Sequence, residues 1–164
     1  MSKVEDKSLL PLLSMPVQRI MDIDEIKQNI PHREPFLLVN EIRISEEGKS
    51  CIGIYKVTGE EYFFKGHFPQ KPIMPGVLVL ESISQAFGGA MMPHVNKTGK
   101  GIPLFLGVEN AKFRGMVVPG DTLEMPIQVL RLGKLSRIFA QAYVNGKLCV
   151  EANLMFILGE NLHV

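Results

Sequence analysis

The sequence predicts an α+β domain in which a six-stranded antiparallel sheet curls around one long central helix. Three observations carry this. From Pro75-Gly76 to Met92 the chain is apolar on nearly every face (Val77, Leu78, Val79, Leu80, Ile83, Ala86, Phe87, Ala90, Met91), the mark of a helix buried all round. Six further segments alternate or run apolar at strand length, most of them joined by short connections. A helix without a polar face must be covered, and a curled sheet covers it on most sides.

Size and composition agree with one soluble domain. At 164 residues the chain suffices for one domain with a proper core and is too short for two ordinary ones. It is 46% hydrophobic and 21% charged, close to the globular average. A formal net charge of +1 excludes a general nucleic-acid or anionic-membrane binder and leaves room only for a local basic patch. No run reaches the roughly 18 uncharged apolar residues of a membrane span, because Glu81 and Gln85 interrupt the central helix. Cys51 and Cys149 are far apart and match no metal or redox spacing, which reads as two reduced thiols in a reducing compartment. His32, His67, His94 and His163 add no ligand pattern, so no metal is expected.

Residues 1–20 read as an extension to a domain spanning 21–164. Leu9-Leu10-Pro11-Leu12-Leu13 is broken by proline and preceded by Glu5 and Asp6, unlike a secretory signal. The extension is expected to be a mobile arm or a strap against a partner subunit, with a short transit peptide as the remaining reading. Asp22, with Glu25 three residues on, resembles a capped helix start, and that helix must end before Pro31. Phe36–Ser45 and Ser50–Thr58 read as strands joined by the turn Glu46-Glu47-Gly48-Lys49. In the second, Ile52, Ile54 and Lys56 alternate with Cys51, Gly53, Tyr55 and Val57, so its buried face is not assigned. Met92 to Gly101 is polar and glycine-containing, a surface loop with His94 facing solvent.

Four strands follow. Ile102–Arg114 is the first. Leu123, Met125, Ile127 and Val129 share one face of the next, and Ile138, Ala140, Ala142 and Val144 one face of the third. Val150, Ala152, Leu154, Phe156 and Leu158 line the last, within Lys147–Leu158. Gly133 closes one hairpin, and Asn145-Gly146 signals a two-residue type I′ turn.

The chemistry concentrates in Gly66–Gln85. Pro69, Pro72 and Pro75 rule out a regular element between His67 and Glu81 and make a stiff loop, which holds an imidazole in one place. Imidazole titrates near neutrality and is the readiest base at cellular pH. Glu81 stands alone in an apolar helix, a setting that disfavours the carboxylate and keeps the proton on. The first amides after Pro75 lack helical partners, and Gly76 has no side chain to block approach to its N–H, a place for a carbonyl oxygen that gains charge. Each residue also has a structural reading: a loop histidine bonded to backbone, an acid paired with a core arginine, a glycine for a tight turn. Their conjunction favours function, since a core helix gains no stability from an unpaired acid.

Gly66-His67-Phe68-Pro69, then Pro72, Met74-Pro75-Gly76-Val77-Leu78, Glu81 and Gln85, resembles the signature of the 3-hydroxyacyl-acyl-carrier-protein dehydratases of the FabZ type. A second block, Pro31-His32-Arg33 followed by Pro35-Phe36-Leu37-Leu38-Val39, resembles the amino-terminal motif of that family. The likeness runs from about Met21 to Gly159. Asn40 departs from the family's aspartate and Ser84 from its alanine; neither touches the chemistry.

The resemblance implies a hot-dog fold, with dimers that place two active sites at their interface, often assembled into hexamers. In such a dimer His67 of one subunit faces Glu81 of the other. It implies dehydration of (3R)-3-hydroxyacyl-acyl-carrier-protein to the trans-2-enoyl thioester without a cofactor. His67 is then the base for the C2 proton, Glu81 the acid for the departing hydroxyl, and the Gly76 N–H the partner of the thioester oxygen. Gln85 either orients Glu81 or binds the leaving water, and reads equally as a core amide. Phe36, Ile73, Ile83 and Phe87 are candidates for an acyl tunnel, or simply core. Lys112, Arg114, Arg131, Lys134 and Arg137 are candidates for a rim that meets an acidic carrier protein, or a solvated face. The alternatives are a hot-dog thioesterase, without reason to carry the His67 motif, a dehydratase-isomerase, with aspartate in place of Glu81, and a non-catalytic acyl-binding scaffold. Cytoplasm is the default location, with an organelle that runs bacterial-type fatty-acid synthesis as the other setting.

Overall fold

The apolar run forms a helix, α2, over Gly76–Val95, and the rest of the chain is arranged around it. This computed structural model describes residues 7–159; residues 1–6 of the expected extension and His163 lie outside the described residues. Val79, Ile83, Ala86, Phe87, Ala90 and Met91 of α2 are buried in the main core. The helix runs a turn further than expected, through Pro93, where the sequence reading has a loop. A proline at that position cannot donate to the Gly89 carbonyl. Asn29 Nδ2 donates to it instead, at 2.8 Å, so the carbonyl is satisfied and the helix continues. His94 in that last turn reaches Glu47 at 3.1 Å on the surface.

Among the described residues seven strands make the sheet, one more than expected: β1 Arg19–Met21, β2 Glu41–Glu46, β3 Ser50–Lys56, β4 Ile102–Phe113, β5 Thr122–Arg131, β6 Leu135–Val144 and β7 Lys147–Gly159. Their order is β1-β2-β3-β5-β6-β7-β4, with every neighbouring pair antiparallel. The sheet curls around α2, and the architecture is the hot-dog fold. The additional strand, β1, is only three residues long, too short for periodicity to reveal. The short helix α1, Ile23–Asn29, starts as its sequence predicts, with Asp22 Oδ1 accepting from the Glu25 N–H at 2.9 Å. Asn145 and Gly146 have φ of 49° and 74°, the backbone of a type I′ turn.

Inward residues of β5, β6 and β7 pack on α2 as the alternation predicts, and Phe87 stacks on Phe156 with ring centroids 4.8 Å apart. The undecided strand β3 is buried on both faces. Cys51 and Tyr55 join the main core, whereas Ile52 and Ile54 lie under Leu12, in a 3-10 turn over Leu10–Ser14. Leu9 N–H donates to Gln141 Oε1 on β6 at 2.6 Å. The described part of the extension therefore lies along the outer face of its own sheet, where the sequence reading has an arm or a strap for a partner. Between β3 and α2 the approach is close: a Cβ at Gly53 would stand 2.5 Å from Ala86 Cβ. Among the described residues no helix is long and apolar enough to cross a membrane.

Candidate active site

Phe36–Asn40, expected as the start of a strand, stands outside the sheet. The Asn40 N–H reaches the Ile54 carbonyl of β3 at 2.8 Å, but the Phe36 carbonyl and both backbone groups of Leu38 are bonded to polar side chains of α2, which take the place of a neighbouring strand. Gln85 Nε2 donates to the Phe36 carbonyl at 2.8 Å, the Leu38 N–H donates to Gln85 Oε1 at 2.7 Å, and Ser82 Oγ donates to the Leu38 carbonyl at 2.5 Å. A fully apolar helix would leave these buried groups unpaired, which explains why polar residues sit at these two positions. The result laces the Pro31–Val39 block onto the helix that carries Glu81.

Gln85 Nε2 also donates to Glu81 Oε1, one helical turn away, at 3.0 Å. Gln85 is only 1% exposed. It acts at once as core amide and as orienting group, and with both amide hydrogens engaged it has none left for a leaving water. The same Oε1 lies 3.3 Å from His32 Nε2. The side chain of Glu81 is 17% exposed and that of His32 24%. Glu81 thus has an amide and an imidazole as partners, and the core arginine of the structural reading is not among them.

His67 is held at three points. Its N–H donates to the Phe63 carbonyl at 2.9 Å, its carbonyl accepts from Ile73 N–H at 2.9 Å, and its ring Nδ1 meets the Ile73 carbonyl at 2.6 Å. A carbonyl only accepts, so Nδ1 carries the hydrogen and the Nε2 lone pair is left open, the tautomer a general base requires. The ring stacks on Phe68, centroids 4.1 Å apart. Among the described residues no hydrogen bond or ion pair joins His67 to Glu81 within the chain.

At the start of α2, the N–H groups of Leu78 and Val79 both turn to the Pro75 carbonyl, which leaves the Gly76 amide outside that ring of bonds. Gly76 has a second reason to be glycine, since a Cβ there would stand 2.5 Å from Phe113 Cδ1. Of the tunnel candidates, Phe36 is 39% exposed and faces His32, and Ile73 is half-buried and anchors His67. Ile83 and Phe87 lie wholly in the packed core. The basic candidates fall into two groups. Lys112 and Arg114 share Glu151, at 3.6 and 2.8 Å, while Arg131, Lys134 and Arg137 gather at the β5–β6 hairpin, with Arg137 paired to Glu109. The edge strand β4 exposes Leu104, Phe105, Leu106, Val108 and Phe113.

Sequence reasoning missed His32 and Ser82 as members of the site. His32 lies in the Pro31–Val39 block, to which residue type and spacing assign no chemistry, and the 49 positions separating it from Glu81 carry no local signal. The one available cue was a second motif block with no chemistry assigned to it.

The chain matches the model of the FabA-like domain over residues 30–153. It is similar to the 3-hydroxyacyl-acyl-carrier-protein dehydratase FabZ of Clostridium botulinum strain Kyoto, 46% identical over 145 residues that cover 88% of this chain and 100% of that protein. It is likewise similar to the FabZ of Desulforamulus reducens, 48% identical over 142 residues, 86% of this chain and 99% of that one. Among solved structures, the dehydratase heterocomplex ApeI:P from Xenorhabdus doucetiae superposes with a TM-score of 0.69 at 16% identity, covering 83% of this chain and 91% of that one. A sigma28-regulated virulence protein from Campylobacter jejuni gives 0.61 at 15% identity, over 87% and 93%. At such identities the structures speak for the fold alone. The family model spans most of the chain and both motif blocks that meet at Glu81, and the relatives are nearly half identical from end to end: the chain belongs to the FabA-like family.

Proposed function

We propose that the protein removes water from 3-hydroxyacyl thioesters of acyl carrier protein in fatty-acid biosynthesis, with His67 as base and Glu81 as acid. His67 Nε2 takes a proton from C2, and the charge that builds on the thioester oxygen is met by the Gly76 N–H. Glu81 gives its proton to the C3 hydroxyl, the C3–O bond breaks, and a C2=C3 double bond and water result. The step needs no electron sink and no cofactor. The observation that carries this reading is how the two groups are engaged. His67 is tied through Nδ1 and Glu81 through Oε1, which leaves Nε2 and Oε2 uncommitted among the described residues, one to accept a proton and one to deliver it.

Because no hydrogen bond or ion pair among the described residues joins the two side chains within one chain, His67 is taken to face Glu81 of a second copy. The position of β4 at the end of the sheet order, with its exposed apolar side chains Leu104, Phe105, Leu106 and Val108, supports association into a dimer and onward to a hexamer. The acyl chain would run past Phe36 and Ile73, the two tunnel candidates outside the packed core, and Arg131, Lys134 and Arg137 offer the better-grouped basic rim for an acidic carrier. Two unbridged, buried cysteines support a reducing setting such as the cytoplasm.

The test is enoyl absorbance on addition of 3-hydroxybutyryl-acyl-carrier-protein to wild type, Glu81→Gln and His67→Ala. Each substitution is expected to lower turnover by about 10²–10⁴-fold while assembly is unchanged. Mixing the two inactive variants after subunit exchange should restore activity, since one site per mixed dimer is then intact. Free thiol without enoyl product would replace dehydration with thioester hydrolysis. Mixed subunits that stay inactive would place both groups of a site in one chain.

A further inference from the structure

We propose that His32 is a positioning residue for this reaction: as a neutral imidazole it donates Nε2–H to Glu81 Oε1 and thereby assigns the acid's proton to Oε2. The inference rests on Glu81 being the acid. Its geometry is a 3.3 Å contact between His32 Nε2 and Glu81 Oε1, on the oxygen that already accepts from Gln85 Nε2 at 3.0 Å.

The protonation state follows from the other ring nitrogen. His32 Nδ1 is buried and has no hydrogen-bond partner among the described residues. An imidazolium would put an N–H there with nothing to accept it, and an orphaned buried donor is rarer and costlier than an orphaned lone pair. The form that leaves a bare lone pair at Nδ1 is the neutral one with its hydrogen on Nε2, aimed at Glu81. The cation next in the chain does not alter this. Arg33 is engaged by the carbonyls of Lys27, Ile30 and His32, at 2.9, 2.9 and 2.6 Å, around the end of α1.

A neutral donor suits an acid that must hold and release a proton. A lysine or arginine in this place would favour the carboxylate and withdraw the proton before it is needed. Two neutral N–H groups on Oε1 instead mark that oxygen as the acceptor, and the proton falls to Oε2, the oxygen with no partner among the described residues. The ring of His32 is steadied by Phe36, stacked at 18° with centroids 6.5 Å apart. The amino-terminal block is thus brought to α2 by Gln85 and Ser82 and then acts back on the acid through His32.

The experiment compares His32→Phe, which keeps a flat ring against Phe36 and removes the donor, with His32→Gln, whose amide Nε2–H reaches the same place. Wild type, both variants and Glu81→Gln are assayed as full-length protein for kcat, KM, melting temperature and assembly. His32→Phe is expected to lower kcat about 10- to 100-fold with KM changed less than about twofold, and His32→Gln to recover most of the loss. A His32→Phe variant with wild-type kcat beside an inactive Glu81→Gln overturns the proposal, and so does His32→Gln no better than His32→Phe, the pattern of a packing role. If His32→Phe does not assemble, His32→Ala takes its place in the same comparison. A Glu81→Gln variant that turns over like wild type overturns the acid assignment itself, and the proposal with it.

Discussion

Replacing Gln85 by leucine tests whether the amino-terminal block is held to α2 by side-chain hydrogen bonds rather than by apolar contact. Gln85 makes three bonds, to the Phe36 carbonyl, the Leu38 N–H and Glu81 Oε1. Leucine has similar bulk and none of them. The Leu38 N–H is left as a buried donor without a partner, at a cost of about 1–3 kcal/mol. The partly buried Phe36 carbonyl loses a bond worth about 0.5–1.5 kcal/mol. Leucine returns roughly 1 kcal/mol by burying more apolar surface. A net loss of about 0.5–3.5 kcal/mol remains, centred near 2, and in a chain of this size each kcal/mol lowers the melting temperature by about 2–4 °C. Calorimetry should therefore find a melting point about 1–14 °C lower, centred near 6 °C, measured at one protein concentration because subunit association adds to apparent stability. Ser84→Ala is the control, since Ser84 Oγ only doubles up on a carbonyl of its own helix, at 2.8 Å from Leu80 O, and its removal should stay within about 0.5 kcal/mol. A leucine variant as stable as that control would refute the reasoning and leave Leu37, Leu38 and Val39 as the agents of attachment.

Two further outcomes follow from contacts outside the site. Gly53→Ala should lose about 1–3 kcal/mol, read as a lower urea midpoint, because the new Cβ would stand 2.5 Å from Ala86 Cβ and 3.1 Å from Met125 Cε; an unchanged midpoint would show that β3 has room to move off α2. Glu61 anchors the approach to the His67 loop by accepting from the N–H groups of Thr58 and Gly59 and from the Tyr55 hydroxyl. Burial pushes its carboxyl up, but the backbone donors outweigh it and hold the group below its ordinary value of 4.5. A carboxyl depressed in the folded state contributes its stability above the unfolded value and loses it as pH falls through the folded one. The stability gap between wild type and Glu61→Gln should accordingly be widest at neutral pH and narrow below about pH 4.5, as checked by urea unfolding at several pH values. A gap that does not vary with pH would refute the assignment.

The stretch proposed as catalytic was legible because its features conflict with what packing alone would select. Three prolines in seven residues forbid a regular element around His67, and the one acid in a mostly apolar helix has no packing reason to be there. The last three strands were legible for a different reason, since apolar residues recur at every second position of each and mark the face turned to α2. What escaped was whatever depends on partners distant in the chain. Phe36–Val39 has the composition of a strand, and only the positions of Gln85 and Ser82, more than 40 residues away, decide that its backbone bonds to a helix instead. The role of His32 is hidden by the same separation.

The undecided face of β3 and the unexplained leucines at the amino end are one problem, not two. Ile52 and Ile54 alternate with Cys51 and Tyr55, so β3 offers apolar side chains to both sides, whereas β5 offers them mainly to one. A strand of that kind in a single-layer sheet needs a cover on its outer face as well as a helix on its inner one. Leu9-Leu10-Pro11-Leu12-Leu13 is the short apolar segment left without a place by the remaining elements, and Leu12 is the residue that closes over Ile52 and Ile54. The buried Gln141 supports the same conclusion, because a glutamine on the outer face of β6 has no need to be buried unless something lies across it, and the Leu9 N–H is what does. Apolar residues on the wrong face of a strand thus carry positional information about a segment far away in sequence, which a strand-by-strand reading discards.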